Sequence, residues 1–197
     1  MSPDLVIGRA ATFIDDRYGT IESLNSMNIN VYTQLASLMN GEQSLDNIFE
    51  DIKNVGKIFN VEDKANTLAT ELSESLKSVE DKVSTLEGEP LKVLVMTAYN
   101  DGSYNVFGAN STLQNEILEV LGGTNVNEKG GAQSLENLMS LNPDVILYVY
   151  NNKNLETDSV AVESLYNNSL IQSVPAIENK KVFEVSYTEF MGYGYRT

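Results

Sequence analysis

This 197-residue sequence predicts an α/β fold of two lobes with parallel sheets, joined by one long α-helix. Three observations lead there. Between Asn60 and about Leu86 there is no Gly or Pro, and Val61, Ala65, Leu68, Leu72, Leu76, Val79, Val83 and Leu86 recur at three- and four-residue spacings. That is one face of an α-helix. On both sides of it short apolar runs alternate with helical patterns, the order expected of parallel α/β layers. Finally, Ser2-Pro-Asp-Leu-Val-Ile-Gly8 is echoed by Asn142-Pro-Asp-Val-Ile-Leu-Tyr148. Each copy is followed by a loop, helical sequence and another strand, which argues for two related lobes. The expected division is 1–59 for an N-terminal α/β lobe, 60–88 for the linking helix and 89–197 for a C-terminal α/β lobe.

In chain order, residues 5–8 read as a short buried strand and 9–18 as a loop. Ile21, Leu24 and Met27 give a short amphipathic helix capped by Thr20, and 28–32 alternate as a second strand. Ser44 caps a helix that carries Leu45, Ile48, Ile52, Val55 and Phe59 inward. The long helix follows, with Asn60 as its expected N-cap, Glu62 and Asp63 in its first turn, and Gly88 with Pro90 as its stop. Over that length it spans about 39 Å, more than one layer needs for a crossover. Residues 91–98 make the strongest strand, and a polar, aromatic loop is expected from Tyr99 to Gly108. Ser111 and Gln114 have capping-box spacing at the head of a helix that ends at Gly122-Gly123. Ser134 caps another short helix. Residues 144–150 form a continuous apolar strand of the kind buried on both faces. Short helices at 158–166 and 170–177 and a last strand at 181–186 complete the pattern.

Composition removes whole classes of function. The net charge of −15 argues against nucleic acid and against anionic membrane surfaces. Cysteine and histidine are both absent. No disulfide, thiolate metal site or cysteine nucleophile is possible, and the usual general base and commonest metal ligand are missing too. Neither a metal site nor a cofactor is expected. No Gly-x-Gly-x-x-Gly turn joins a strand to a helix: Gly102 and Gly108 are too far apart, and Gly122-Gly123 closes a helix. An oxidoreductase, and enzymatic activity generally, is not expected. No stretch approaches a membrane span and no signal peptide opens the chain. The chain starts directly before its first strand and stops without a closing element. It therefore reads as cut at both ends, with localisation signals missing.

The ordered set of motifs resembles the class III substrate-binding proteins of ABC importers, the group that delivers ferric siderophores, haem or cobalamin. Three stretches carry the likeness along with the long helix. They are Ser2–Gly8 with the segment from Ile21 to Tyr32; Phe107-Gly-Ala-Asn-Ser111 running to Glu119-Val-Leu-Gly-Gly-Thr-Asn125; and Ser134-Leu-Glu136 running to Pro143-Asp144. The resemblance implies two Rossmann-like lobes on one rigid helix, with the solute held in the cleft between them and only modest closure on binding. It implies an incomplete N-terminal lobe with an open sheet edge, a last helix beyond Thr197, and an anchor segment before Met1. The implied place is extracytoplasmic, as a cell-surface lipoprotein or periplasmic protein. The implied partners are an iron chelate and the transmembrane permease. In the same resemblance Glu136 matches a surface glutamate that docks onto a permease arginine. A surface protein-interaction module of adhesin type, using the same fold without a small-molecule ligand, is the alternative.

Ligands of open α/β sheets bind outside the carboxyl ends of the strands. That rule selects Arg9 after the first strand, then Tyr99, Ser103, Tyr104, Asn105 and Phe107 after residues 91–98. Asn151 follows the next strand, and Tyr187 and Arg196 follow the last. A guanidinium offers a planar fork of donors for carboxylate, catecholate or propionate oxygens. Aromatic rings offer flat apolar walls for a large rigid chelate.

Overall fold

The long helix is present as α3, Glu62–Val83, in the computed structural model, which describes residues 3–38, 43–100, 102–106, 110–151, 155–192 and 194. The chain divides into two units, one built on Met1–Ser75 and one on Leu76–Gly192, so the boundary falls inside α3.

In the first unit, β1 (Leu5–Gly8) and β2 (Asn30–Thr33) pair in parallel, in register from Leu5 with Asn30 to Gly8 with Thr33. Between them, a 3-10 turn at Ala10–Thr12 leads to α1 (Ile21–Ser26), where the Thr20 Oγ1 accepts from the Ser23 N–H at 3.1 Å. A helix this short turns only one residue inward: Leu24 is buried, whereas Ile21 and Met27 are exposed. After β2, a second 3-10 turn, Leu35–Ser37, leads on to α2 (Leu45–Ile58), capped by Ser44 as its sequence suggests. Phe59, expected inward, is exposed just past the helix end.

The corner between α2 and α3 corrects one expectation. Asn60 does not cap α3. It takes the left-handed conformation (φ 52°) and closes α2 instead, with its N–H donating to the Lys57 carbonyl and the Val61 N–H to the Gly56 carbonyl at 2.8 Å. That is a Schellman ending. The carbonyl of Val61 then accepts the first bond of α3, from the Ala65 N–H. Gly56 is required here because a Cβ on it would collide with the Cβ of Ala65.

The second unit holds a six-stranded mixed sheet in the order β6-β4-β3-β7-β8, with β5 also on β3. The strands are β3 (Leu91–Asn100), β4 (Ser103–Val106), β5 (Gly123–Asn125), β6 (Gly131–Ser134), β7 (Val145–Tyr150) and β8 (Val182–Ser186). β5, β7 and β8 follow the direction of β3, with β7 parallel to both β3 and β8, while β4 runs antiparallel to β3 and to β6. The expected loop after β3 is thus a hairpin, and the sheet is not purely parallel. One face packs Leu94, Met96, Tyr104, Val106, Ile146, Tyr148 and Val182. Val93, Val95 and Val149 pack in a separate cluster with Leu118 and Phe190.

The helices of this unit are α4 (Thr112–Val120), α5 (Leu135–Leu141), α6 (Leu155–Asn167), α7 (Pro175–Glu178) and α8 (Tyr187–Phe190). Ser134 caps α5 as expected. Ser111 makes no side-chain cap, and Gln114, its expected partner, is buried with its Nε2 donating to the Phe190 carbonyl at 3.1 Å. The expected helix at 170–177 is confined to α7. Successive turns, with Ile171 N–H to Asn168 and Val174 N–H to Ile171, occupy the residues before it.

Candidate functional site

Each unit presents residues where parallel strands end. In the first, Arg9 follows β1 directly, is half-buried, and lends its carbonyl to the Thr12 N–H at 2.9 Å. The next peptide N–H, that of Ala10, donates to the Ser37 Oγ at 2.9 Å. Ser37 in turn donates to the Gln34 carbonyl at 2.8 Å, so the turns that follow β1 and β2 are tied together.

In the second unit, β3 passes through a bulge before it ends. Ala98 adopts φ 50° and the register with β4 shifts between Thr97 and Asn100. A bulge adds one residue to a strand and so reverses which face the next side chains take. Tyr99 consequently joins Leu94 and Met96 on one face, 4% exposed, with its hydroxyl accepting from the Asn168 Nδ2 at 3.0 Å. Tyr104 alternates onto the same face from β4 and is 1% exposed. Both rings fill the core of the unit, in contrast to the ligand wall expected of them.

Ser103 and Asn105 stay near the surface. The Ser103 Oγ donates to the Asn100 Oδ1 at 3.1 Å, closing the hairpin end, and Asn105 is exposed on β4. Asn151 follows β7 and is half-buried. Tyr187 opens α8 after β8, half-buried against the Val93–Val149 cluster. Phe107 and Arg196 lie outside the described residues. Glu136 sits in the first turn of α5, exposed. Hydrogen bonds from the Ser134 side chain and from its own backbone N–H hold its carboxyl below the usual range, so it carries a full charge at neutral pH.

Two buried carboxylates at these strand ends escaped sequence reading. Asp51 on α2, 7% exposed, accepts from the Tyr32 hydroxyl at 2.7 Å, the Leu35 N–H at 2.8 Å and the Ala36 N–H at 3.1 Å. Asp158 on α6, 3% exposed, accepts from the Tyr148 hydroxyl at 2.6 Å and the Asn151 N–H at 2.7 Å. Burial, and then the bond to Asp51, pushes the Tyr32 hydroxyl up to about 12. Tyr148 is raised as well, by burial first and then by Asp158. The available signal was a strand tyrosine followed by an acidic residue on the next helix, which is too common a pairing to single out.

A groove of about 320 Å³ within the first unit is lined by Ile7, Tyr32, Ile48, Ile52, Val55 and Leu68 among others. Among the described residues no group of three acidic side chains is placed to hold a metal ion, and no helix is long and apolar enough to cross a membrane.

A family model described as periplasmic binding protein matches residues 1–187. The uncharacterized ABC transporter substrate-binding lipoprotein YvrC of Bacillus subtilis is 24% identical over 188 residues, covering 94% of this chain and 55% of that protein. The high-affinity heme uptake system protein IsdE of Staphylococcus aureus is 26% identical over 151 residues, 75% of this chain and 51% of that protein. The crystal structure of a periplasmic binding protein from Veillonella parvula matches with a TM-score of 0.83 at 23% identity. The match covers 99% of this chain and 61% of that one, a likeness of fold. The chain spans about half the length of the curated relatives it matches.

Proposed function

The chain belongs to the periplasmic binding protein family, and from that premise we propose that it is the solute-binding part of an ABC importer. Its cargo is an iron complex, a ferric siderophore or haem, with cobalamin as a third large chelate of the same kind. The observation that carries the reading is the family match along residues 1–187, nearly the whole chain. The names of two relatives point the same way, one a substrate-binding lipoprotein and the other a haem uptake protein. The protein works outside the cytoplasm, and its task is capture and release, with no bond of the solute made or broken.

The groups proposed to meet the solute are Arg9 in the first unit and Ser103, Asn105, Asn151 and Tyr187 in the second, with Phe107 two residues after Asn105 and Arg196 nearer the end of the sequence. An arginine suits the carboxylate or hydroxamate oxygens at the rim of such a chelate, and the amide and hydroxyl groups add directional hydrogen bonds. Glu136 is proposed as a contact for a permease arginine, for which an exposed and fully charged carboxylate is suited.

The test is a visible absorption spectrum after mixing and desalting with haem, a ferric hydroxamate and cobalamin, all of them coloured. Colour retained with one of them and weakened by Arg9→Gln supports the carrier. Retention of none overturns the iron-chelate cargo and leaves another solute or a protein-interaction module.

A further inference from the structure

The carboxylates of Asp51 and Asp158 form the same device in two places, one in each unit. In both, a helix-borne Asp takes the hydroxyl of a strand tyrosine and peptide N–H groups just after the strand, two at Asp51 and that of Asn151 at Asp158. Those N–H groups have left the sheet ladder and need another acceptor. Tyrosine and aspartate are 19 residues apart in the first unit and 10 in the second, so this is no local turn motif. A buried carboxylate is costly to desolvate, and apolar side chains at those helix positions would pack without that cost. What the carboxylate adds is a fixed backbone at the end of a strand, anchored to a rigid helix.

Each anchor also leads to a residue of the candidate site. In the second unit the anchored peptide is that of Asn151 itself. In the first, Asp51 holds the 3-10 turn Leu35–Ser37. The Ser37 hydroxyl of that turn accepts from Ala10, the residue next to Arg9.

We propose that Asp51 and Asp158 are positioning residues for solute binding: from their helices they anchor the peptide N–H groups beyond a strand, and so set the backbone beside Arg9 in one unit and at Asn151 in the other. The anchoring rests on this geometry, and its bearing on solute rests on the carrier reading.

Amide hydrogen exchange tests the anchoring without any ligand. Exchange at Leu35 and Ala36 is expected to quicken about tenfold or more in Asp51→Asn, and at Asn151 in Asp158→Asn, as befits loss of a charge-assisted bond. Amides of residues 94–96 and 146–149 stay protected. Tyr32→Phe and Tyr148→Phe leave the carboxylates with their N–H partners and move the same amides less, which keeps the test open if an Asn variant does not fold. Unchanged exchange at the anchored amides, or a rise spread evenly over the unit, overturns the proposal.

A second arm measures haem retention in Asp51→Asn, Arg9→Gln and the double variant. If Asp51 acts through Arg9, the double variant loses less than the product of the two single losses. Losses that simply multiply overturn the positioning role. Failure of the unaltered chain to retain haem, ferric hydroxamate or cobalamin overturns the iron-chelate cargo and the bearing on such a solute with it, while the exchange result still decides the anchoring.

Discussion

Tyr104 shows at the scale of one residue how a strand decides what a side chain can do. The sequence places it on a ligand wall, but alternation along β4 turns its ring into the core, where its hydroxyl meets no hydrogen bond of good geometry among the described residues and Asn137 is the side chain near it. Tyr104→Phe is therefore expected to leave stability unchanged or raise it by up to about 1 kcal/mol, because an unpartnered buried hydroxyl is removed. Solute retention should be unaffected, and a weakened complex would place the ring at the solute after all. Burial pushes Tyr104 up to about 12, and Tyr32 and Tyr148 are raised too. Groups raised in the fold keep their stabilisation up to the unfolded value near 10 and lose it as pH climbs through the folded values. Titration of tyrosinate absorbance alongside circular dichroism should thus show these three of the ten tyrosines ionising late, together with alkaline unfolding. Ionisation of all ten near pH 10 in the folded chain would contradict this. For Glu136, exposed and charged, Glu136→Gln is expected to lower uptake through the permease while leaving solute retention as it was.

Among the elements, the corner between α2 and α3 is the most demanding. Ala65 is buried against Gly56, and Asn60 supplies the left-handed residue that ends α2. Gly56→Ala should destabilise the first unit by about 1–3 kcal/mol, since the two helices must separate to admit the new methyl. Adding Ala65→Gly should recover part of that loss. Denaturant titration of the single and double variants checks both, and a neutral Gly56→Ala would show that the corner can yield. The echo between the chain start and Asn142 pointed at β1 and β7, and both strands are present after their Pro-Asp. The closer parallel lies elsewhere: β2 and β7 each send a tyrosine to an aspartate on the helix that follows.

For the whole molecule the two units differ in how much they bury. The first has a two-stranded sheet and a short set of buried apolar residues, Phe13, Leu24, Ala36, Ile48, Ala65 and Ala69, among those described. The second has a six-stranded sheet with apolar clusters on it. Two strands alone are marginal in water, so the first unit is expected to lose amide protection at lower urea than the second. Leu94→Ala, at a fully buried site of the second sheet, should cost about 2–5 kcal/mol in the later transition and leave the earlier one in place. A single coincident transition for amides of both units would show them to be one cooperative body.

The sequence by itself was enough for the α/β class, the long helix, the strands β3 and β7 and the caps at Thr20, Ser44 and Ser134. Each rests on a local cause, either a period of apolar residues or a side chain within reach of the next turn. It also excluded cysteine and histidine chemistry outright. Only the tertiary structure decided the rest. The β3–β4 hairpin was legible in hindsight, since Tyr104 and Val106 alternate after Asp101-Gly102, but the polar residues around them read as loop. The bulge at Ala98, which turns Tyr99 inward, has no mark in the sequence because alanine is not a residue that favours positive φ. Asp51 and Asp158 could not be singled out, because a carboxylate on a helix looks solvated until the strand tyrosine and the loop amides that it serves are brought to it by the fold.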